Sequence, residues 1–105
     1  MNKFGYLNFN KLMELNKKVT TTEFKMLLVI LEYLSSTNKD VLINNKNFRE
    51  FLDQLGFSKT PERVSTILSS LNRKDVLFRE APGVYTVVES LYLKVNEAFS
   101  IEAQI

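Results

Sequence analysis

The stretch from Thr60 to Arg73 constrains this chain more than any other. Val64, Ile67, Leu68 and Leu71 recur at i, i+3, i+4 and i+7, so a helix here buries one apolar stripe. The residues left for solvent are Lys59, Arg63, Thr66, Ser69, Ser70 and Arg73, with Glu62 as the acid among them. Thr60 is placed to cap this helix, and Pro61 suits its first position, where a missing N–H costs nothing. Upstream, Asn44 or Asn45 can cap another helix whose buried stripe is Phe48, Phe51, Leu52 and Leu55. Gly56 ends it in the left-handed conformation, and Phe57 drops back into the core. Downstream of Asp75, the β-prone runs 76–79 and 84–88 flank a turn at Glu80-Ala81-Pro82-Gly83. From Asn45 to Tyr85 the order is therefore helix, tight turn, helix, hairpin.

A helix face built of small, polar and basic side chains can approach a DNA groove closely and hydrogen-bond there. A total of 14 Lys plus Arg against 12 Asp plus Glu gives a net charge of only +2, so the bulk charge says little about partners. Its distribution says more: residues 41–79, which include Lys46, Lys59, Arg63, Arg73, Lys74 and Arg79, net +3, and residues 80–105 net −3. Phosphate would thus be attracted to the helical and hairpin segment and repelled by the tail. Glu80 limits how basic the hairpin is.

The chain has no Cys and no His, which removes thiol nucleophiles, histidine bases and zinc sites with nitrogen or sulfur ligands. Glycine occurs only at positions 5, 56 and 83, so no phosphate-cradling loop can form. The carboxylates are scattered and read as solvated surface. The expectation is a non-enzyme without metal or cofactor. The longest apolar run, Met26 to Leu31, is too short to span a bilayer, and a cytoplasmic protein without membrane contact is expected.

The 105 residues form one domain with one core. Residues 1–18 suit a short strand followed by a short helix. Thr20 with Glu23 is a capping box, opening a helix with Phe24, Leu27, Leu28, Leu31 and Leu34 on one face and ending near Ser35-Ser36. Val41-Leu42-Ile43 suits a short strand. From Ser90 onward, Leu91, Val95, Ala98 and Phe99 keep helical spacing, while Leu91, Leu93 and Val95 would equally suit a strand; a helix is expected.

Over about residues 20–88 the chain resembles the winged-helix domains of plasmid proteins from low-G+C Gram-positive bacteria, especially plasmid replication initiators. The resemblance is carried by Thr20-Thr21-Thr22-Glu23-Phe24-Lys25-Met26-Leu27, by Leu55-Gly56-Phe57-Ser58, by the run from Val64 to Leu71, and by Gly83-Val84-Tyr85. Lys59-Thr60-Pro61 lengthens the turn before the third of these motifs relative to the commoner family pattern, which leaves the base-contacting side chains undetermined by about one helical turn. The resemblance implies an α+β winged helix-turn-helix: a three-helix core, a small antiparallel sheet with its wing, and a C-terminal helix.

The implied function is sequence-specific binding of double-stranded DNA at a plasmid origin. It could serve transfer, as in the relaxosome accessory protein of clostridial conjugative plasmids, or replication, with recruitment of other DNA-processing proteins. A transcriptional repressor, a partition protein and a winged helix used for protein contacts are the alternatives. The DNA-binding residues expected are Lys46, Lys59, Thr60, Arg63, Thr66, Ser69, Ser70, Arg73, Lys74 and Arg79. A homodimer is also expected, through Tyr6, Leu7, Phe9 and Leu12 at the start and Tyr92, Phe99 and Ile101 at the end.

Overall fold

A computed structural model describes residues 6–93. Within them stand four α-helices and a small three-stranded antiparallel sheet, an α+β arrangement, with a separate two-stranded pairing of the described ends. Strand β1 (Tyr6–Leu7) leads into helix α1 (Phe9–Lys18), which Asn8 caps by accepting from the Lys11 N–H. The strand and short helix expected at the start are both present.

Helix α2 (Thr21–Thr37) opens on the capping box read from the sequence. The Glu23 N–H donates to Thr20 Oγ1 at 3.2 Å, and the Thr20 N–H donates to Glu23 Oε1 at 2.8 Å. The face it buries is Met26, Leu27, Ile30, Leu31 and Leu34. Leu28 points outward and Phe24 is half-buried, so the expected stripe is rotated by part of a turn. The physical reason is the crowding of apolar residues from Phe24 to Leu31, which satisfies more than one helical face until the neighbouring elements choose.

Strand β2 (Leu42–Ile43) follows, and Asn45 rather than Asn44 caps helix α3 (Lys46–Gln54). Phe48 and Leu52 are buried, whereas Phe51 is half-buried and Leu55 is exposed. Gly56 takes φ +72°, and the Phe57 N–H reaches back to the Leu52 carbonyl at 2.9 Å, closing the helix as a left-handed glycine allows. Helix α4 (Pro61–Arg73) begins as expected, with Thr60 accepting from the Arg63 N–H and Pro61 in the first turn. Its stripe of Val64, Ile67, Leu68 and Leu71 is fully buried. The connection from α3 is longer than a tight turn and spans Leu55 to Thr60.

Strands β3 (Leu77–Ala81) and β4 (Val84–Val87) form the hairpin. The first is longer than expected: Ala81 pairs with Val84, a register shift falls between Arg79 and Ala81, and only Pro82-Gly83 remain as the turn. Pro82 followed by Gly83 at φ +74° meets the demands of a type II turn. Strand β4 also pairs with β2, giving the order β2-β4-β3.

The helix expected from Ser90 is corrected for the residues described. Glu89–Leu91 is a single 3-10 turn, and strand β5 (Tyr92–Leu93) pairs antiparallel with β1. Leu91 is buried, and its carbonyl accepts from the Asn8 N–H at 2.7 Å, so pairing with the first strand decides between the two periodicities. Val95, Ala98, Phe99 and Ile101 lie outside the described residues. No helix among those described is long and apolar enough to cross a membrane.

Candidate nucleic-acid interface

Helix α4 presents three distinct surfaces. The buried stripe faces α2 and β3. Opposite it, Glu62, Thr66, Ser69 and Arg73 follow one another at helical spacing along the outer ridge. Ser69 is half-buried and the other three are exposed. The Thr66 hydroxyl donates back to the Glu62 carbonyl at 2.9 Å, leaving its oxygen as an acceptor and its methyl group to make contacts. Glu62, an acid on this ridge, sets a negative charge among the groups expected to meet DNA.

One flank carries Arg63, Ser70 and Lys74, and the structure separates them. Arg63 is exposed, but Ser70 and Lys74 turn toward α2. Lys74 Nζ lies 2.6 Å from Glu23 Oε1, and the Ser70 hydroxyl donates to Glu23 Oε2. Both side chains, expected as DNA contacts, are thus engaged with a partner within the domain. Glu23 is the buried charged residue among those described. Burial alone would raise the pKa of its carboxyl, but hydrogen bonds from Lys74, Ser70 and the Thr20 N–H, together with the Lys74 charge, outweigh this and hold it at about 2. The sequence announces Glu23 as a capping residue, and no local signal ties it to residues 47 and 51 positions further along.

The other flank meets the hairpin. The Arg79 N–H donates to Asn72 Oδ1 at 3.2 Å, and Asn44 Nδ2 donates to Ser65 Oγ at 3.4 Å. The Asn44 N–H also reaches the Gly83 carbonyl at 2.8 Å, so one residue joins β2, α4 and the hairpin tip. Its Oδ1 is enclosed without a hydrogen-bond partner among the described residues. Asn44, Asn72 and Ser65 are absent from the site expected on sequence grounds; polar side chains of this kind acquire a role only from what folds beside them.

Strand alternation divides the hairpin. Arg79 stands opposite Tyr85, whereas Phe78 stands opposite Thr86, on the other face. Glu80 accepts from the Thr86 hydroxyl at 2.9 Å and so belongs with Phe78. Glu80, which lowers the net charge of the hairpin, thus stands on the face opposite Arg79. Arg63, Arg73 and Arg79 are exposed and have no ion-pair partner among the described residues. Lys46 is exposed but lies 3.8 Å from Glu50 on its own helix, a surface pair of small energetic weight. Lys59 is half-buried, with its ammonium 4.9 Å from the centre of the Phe57 ring. Thr60 is exposed, with its hydroxyl oxygen used in the helix cap.

Among the described residues no cluster of three or more Asp or Glu side chains is arranged to hold a metal ion. Compared with protein-family models, with curated proteins and with solved structures, the chain gives no match.

Proposed function

We propose that this chain is a winged helix-turn-helix that binds double-stranded DNA, laying α4 in the major groove with the β3-β4 hairpin as its wing. The order α2-β2-α3-α4-β3-β4, with β2 closing the sheet beside β4, is compatible with that fold. The observation that carries the reading is the outer surface of α4 and the adjoining strand. Arg63 and Arg73 on α4 and Arg79 on β3 are exposed and without ion-pair partners among the described residues. Thr66 and Ser69 are the small polar side chains on the outer ridge of α4 beside the acid Glu62, and the wing is hydrogen-bonded directly to the helix through Asn72. Exposed guanidinium groups form bidentate contacts with phosphates and with guanine edges, while small neighbours allow the helix backbone to come close.

The function so proposed is recognition followed by recruitment at a plasmid origin of transfer or replication, because a chain without His or Cys brings little catalytic chemistry of its own. A repressor or partition protein would use the same surface at a different site. Binding to random-sequence duplex measured across a salt series tests the interface: affinity should fall linearly on a log-log plot with a slope set by the phosphates neutralised. No binding at low salt would overturn the reading. Footprinting on the DNA that encodes the chain would then name the process, since the position of the protected site distinguishes transfer, replication, partition and transcription.

A further inference from the structure

Two exposed apolar surfaces stand apart from the α4 ridge, and they differ in charge. The first runs along α1, where Phe9, Met13 and Lys17 follow at i, i+4 and i+8. Phe9 is 70% exposed and Met13 55%, while Leu12 and Leu15 on the opposite side enter the core. Lys17 and Lys18 end this helix, and the nearby Glu14 is paired with Lys11 at 3.7 Å. The second surface is the outer face of the hairpin, where a groove of about 560 Å³ opens. Phe78, 42% exposed, and Val88 line it, and the acids Glu80 and Glu89 stand among its described lining residues.

The two surfaces adjoin. The Asn8 N–H bonded to the Leu91 carbonyl ties the start of α1 to the turn Glu89–Leu91, and Glu89 and Ser90 line the groove. Each surface is apolar enough to favour burial and carries the charge the other lacks. Pairing the hairpin face with its own copy would set Glu80 and Glu89 against the same two acids.

We infer that two copies of this chain pair reciprocally, the α1 stripe of each seated on the acidic hairpin groove of the other. Such a contact is isologous as a whole although the surfaces that meet are unlike, which is the condition for a closed two-fold dimer. Of the residues expected from the sequence to form a dimer interface, Leu12 is buried, Leu7 and Tyr92 pack partly against the core, and Phe9 alone among those whose side chains are described remains exposed. Phe99 and Ile101 lie outside the described residues.

The test uses the full chain without DNA, so it stands or fails separately from the proposed DNA binding. Sedimentation velocity over a micromolar series should show a dimer and no larger species. Phe9→Asp sets a carboxylate against the acidic groove, and Phe78→Lys sets an ammonium against Lys17, so each alone should weaken the dimer at least about tenfold. Mixed in equal amounts, the two variants should form a heterodimer tighter than either homodimer. One of its two contacts is intact, and the other sets the carboxylate introduced on α1 against the ammonium introduced in the groove. Circular dichroism on each variant verifies the fold, which exposed positions leave intact. A monomer at every concentration overturns the inference. So does a dimer that responds to Phe9→Asp but not to Phe78→Lys, or a mixture that shows no recovery. Capture of a cationic, apolar peptide by a chain that stays monomeric would assign the groove to another partner and equally overturn it.

Discussion

Glu23 in the first turn of α2 and Lys74 at the end of α4 meet at 2.6 Å, with Ser70 one turn before Lys74 hydrogen-bonded to the same carboxylate. A residue that caps one helix thereby anchors the far end of another. The cap N–H of Thr20, the hydroxyl of Ser70 and the ammonium of Lys74 converge on two oxygens that are almost fully removed from water. A buried carboxylate is tolerated only when donors of this kind replace its hydration.

Glu23→Gln keeps the shape and removes the charge. It should destabilise the fold by about 1–3 kcal/mol, because Lys74 loses its counter-ion and the cap loses a charged acceptor. Urea unfolding monitored by circular dichroism reads this as a lower midpoint with an unchanged slope. An unchanged midpoint would mean the network contributes nothing.

The same carboxylate sets a pH dependence. Its pKa lies at about 2 in the folded chain against an ordinary 4.5, so the folded state binds its proton less readily than the unfolded state. The resulting stabilisation is fully present above about pH 4.5 and disappears as pH falls toward 2. It amounts to about 3 kcal/mol. Unfolding free energies of wild type and Glu23→Gln measured from pH 7 to pH 2 should converge at the acid end; parallel curves would disprove the assignment.

Arg63 and Arg73 stand at opposite ends of α4. On the proposed docking the first turn of α4 would meet base edges, which would give Arg63 the sequence-reading part and Arg73 a phosphate. Arg63→Ala should cost about 1–3 kcal/mol on the specific site and relax preference at one position. Arg73→Ala should weaken all duplexes alike. Fluorescence anisotropy with specific and scrambled duplexes separates the two, and the opposite pattern would reverse the polarity of docking.

Arg79 lies on β3, the strand proposed as part of the wing. Arg79→Ala should lower affinity for every duplex and reduce the salt slope by about one. A slope equal to wild type would place the wing away from phosphate.

Gly56 ends α3 at φ +72° with open space where a Cβ would stand, so Gly56→Ala meets backbone strain and no steric clash. A stability loss of about 1 kcal/mol is expected. A thermal melt that is unshifted would show that the connection rearranges freely.

Most of the helical elements were legible because their signals are local. The Thr20-Glu23 capping box, the Thr60-Pro61 start and the stripe from Val64 to Leu71 each state their conformation within a few residues. Where one segment satisfied two periodicities, the choice came from a neighbour: α2 turned Leu28 outward, and residues 92–93 became a strand once Tyr6–Leu7 lay beside them. The candidate site divides in the same way. Helical spacing put Arg63, Thr66 and Arg73 on the solvent side of α4, but it also put Ser70 and Lys74 there, and both belong to Glu23.

Composition and periodicity determined that this chain has an α+β core, a polar and basic outer helix and no histidine or cysteine chemistry, because hydrophobic spacing and residue identity need no partner to act. Tertiary structure alone decided which of the polar side chains are spent inside the domain and which remain outside. It set Glu23 against Ser70 and Lys74, turned Glu80 away from Arg79, and joined Asn72 to the hairpin. Hydrogen bonds and ion pairs act over a few ångströms in space, so residues 47 and 51 positions apart acquire them only when the core has brought their helices together.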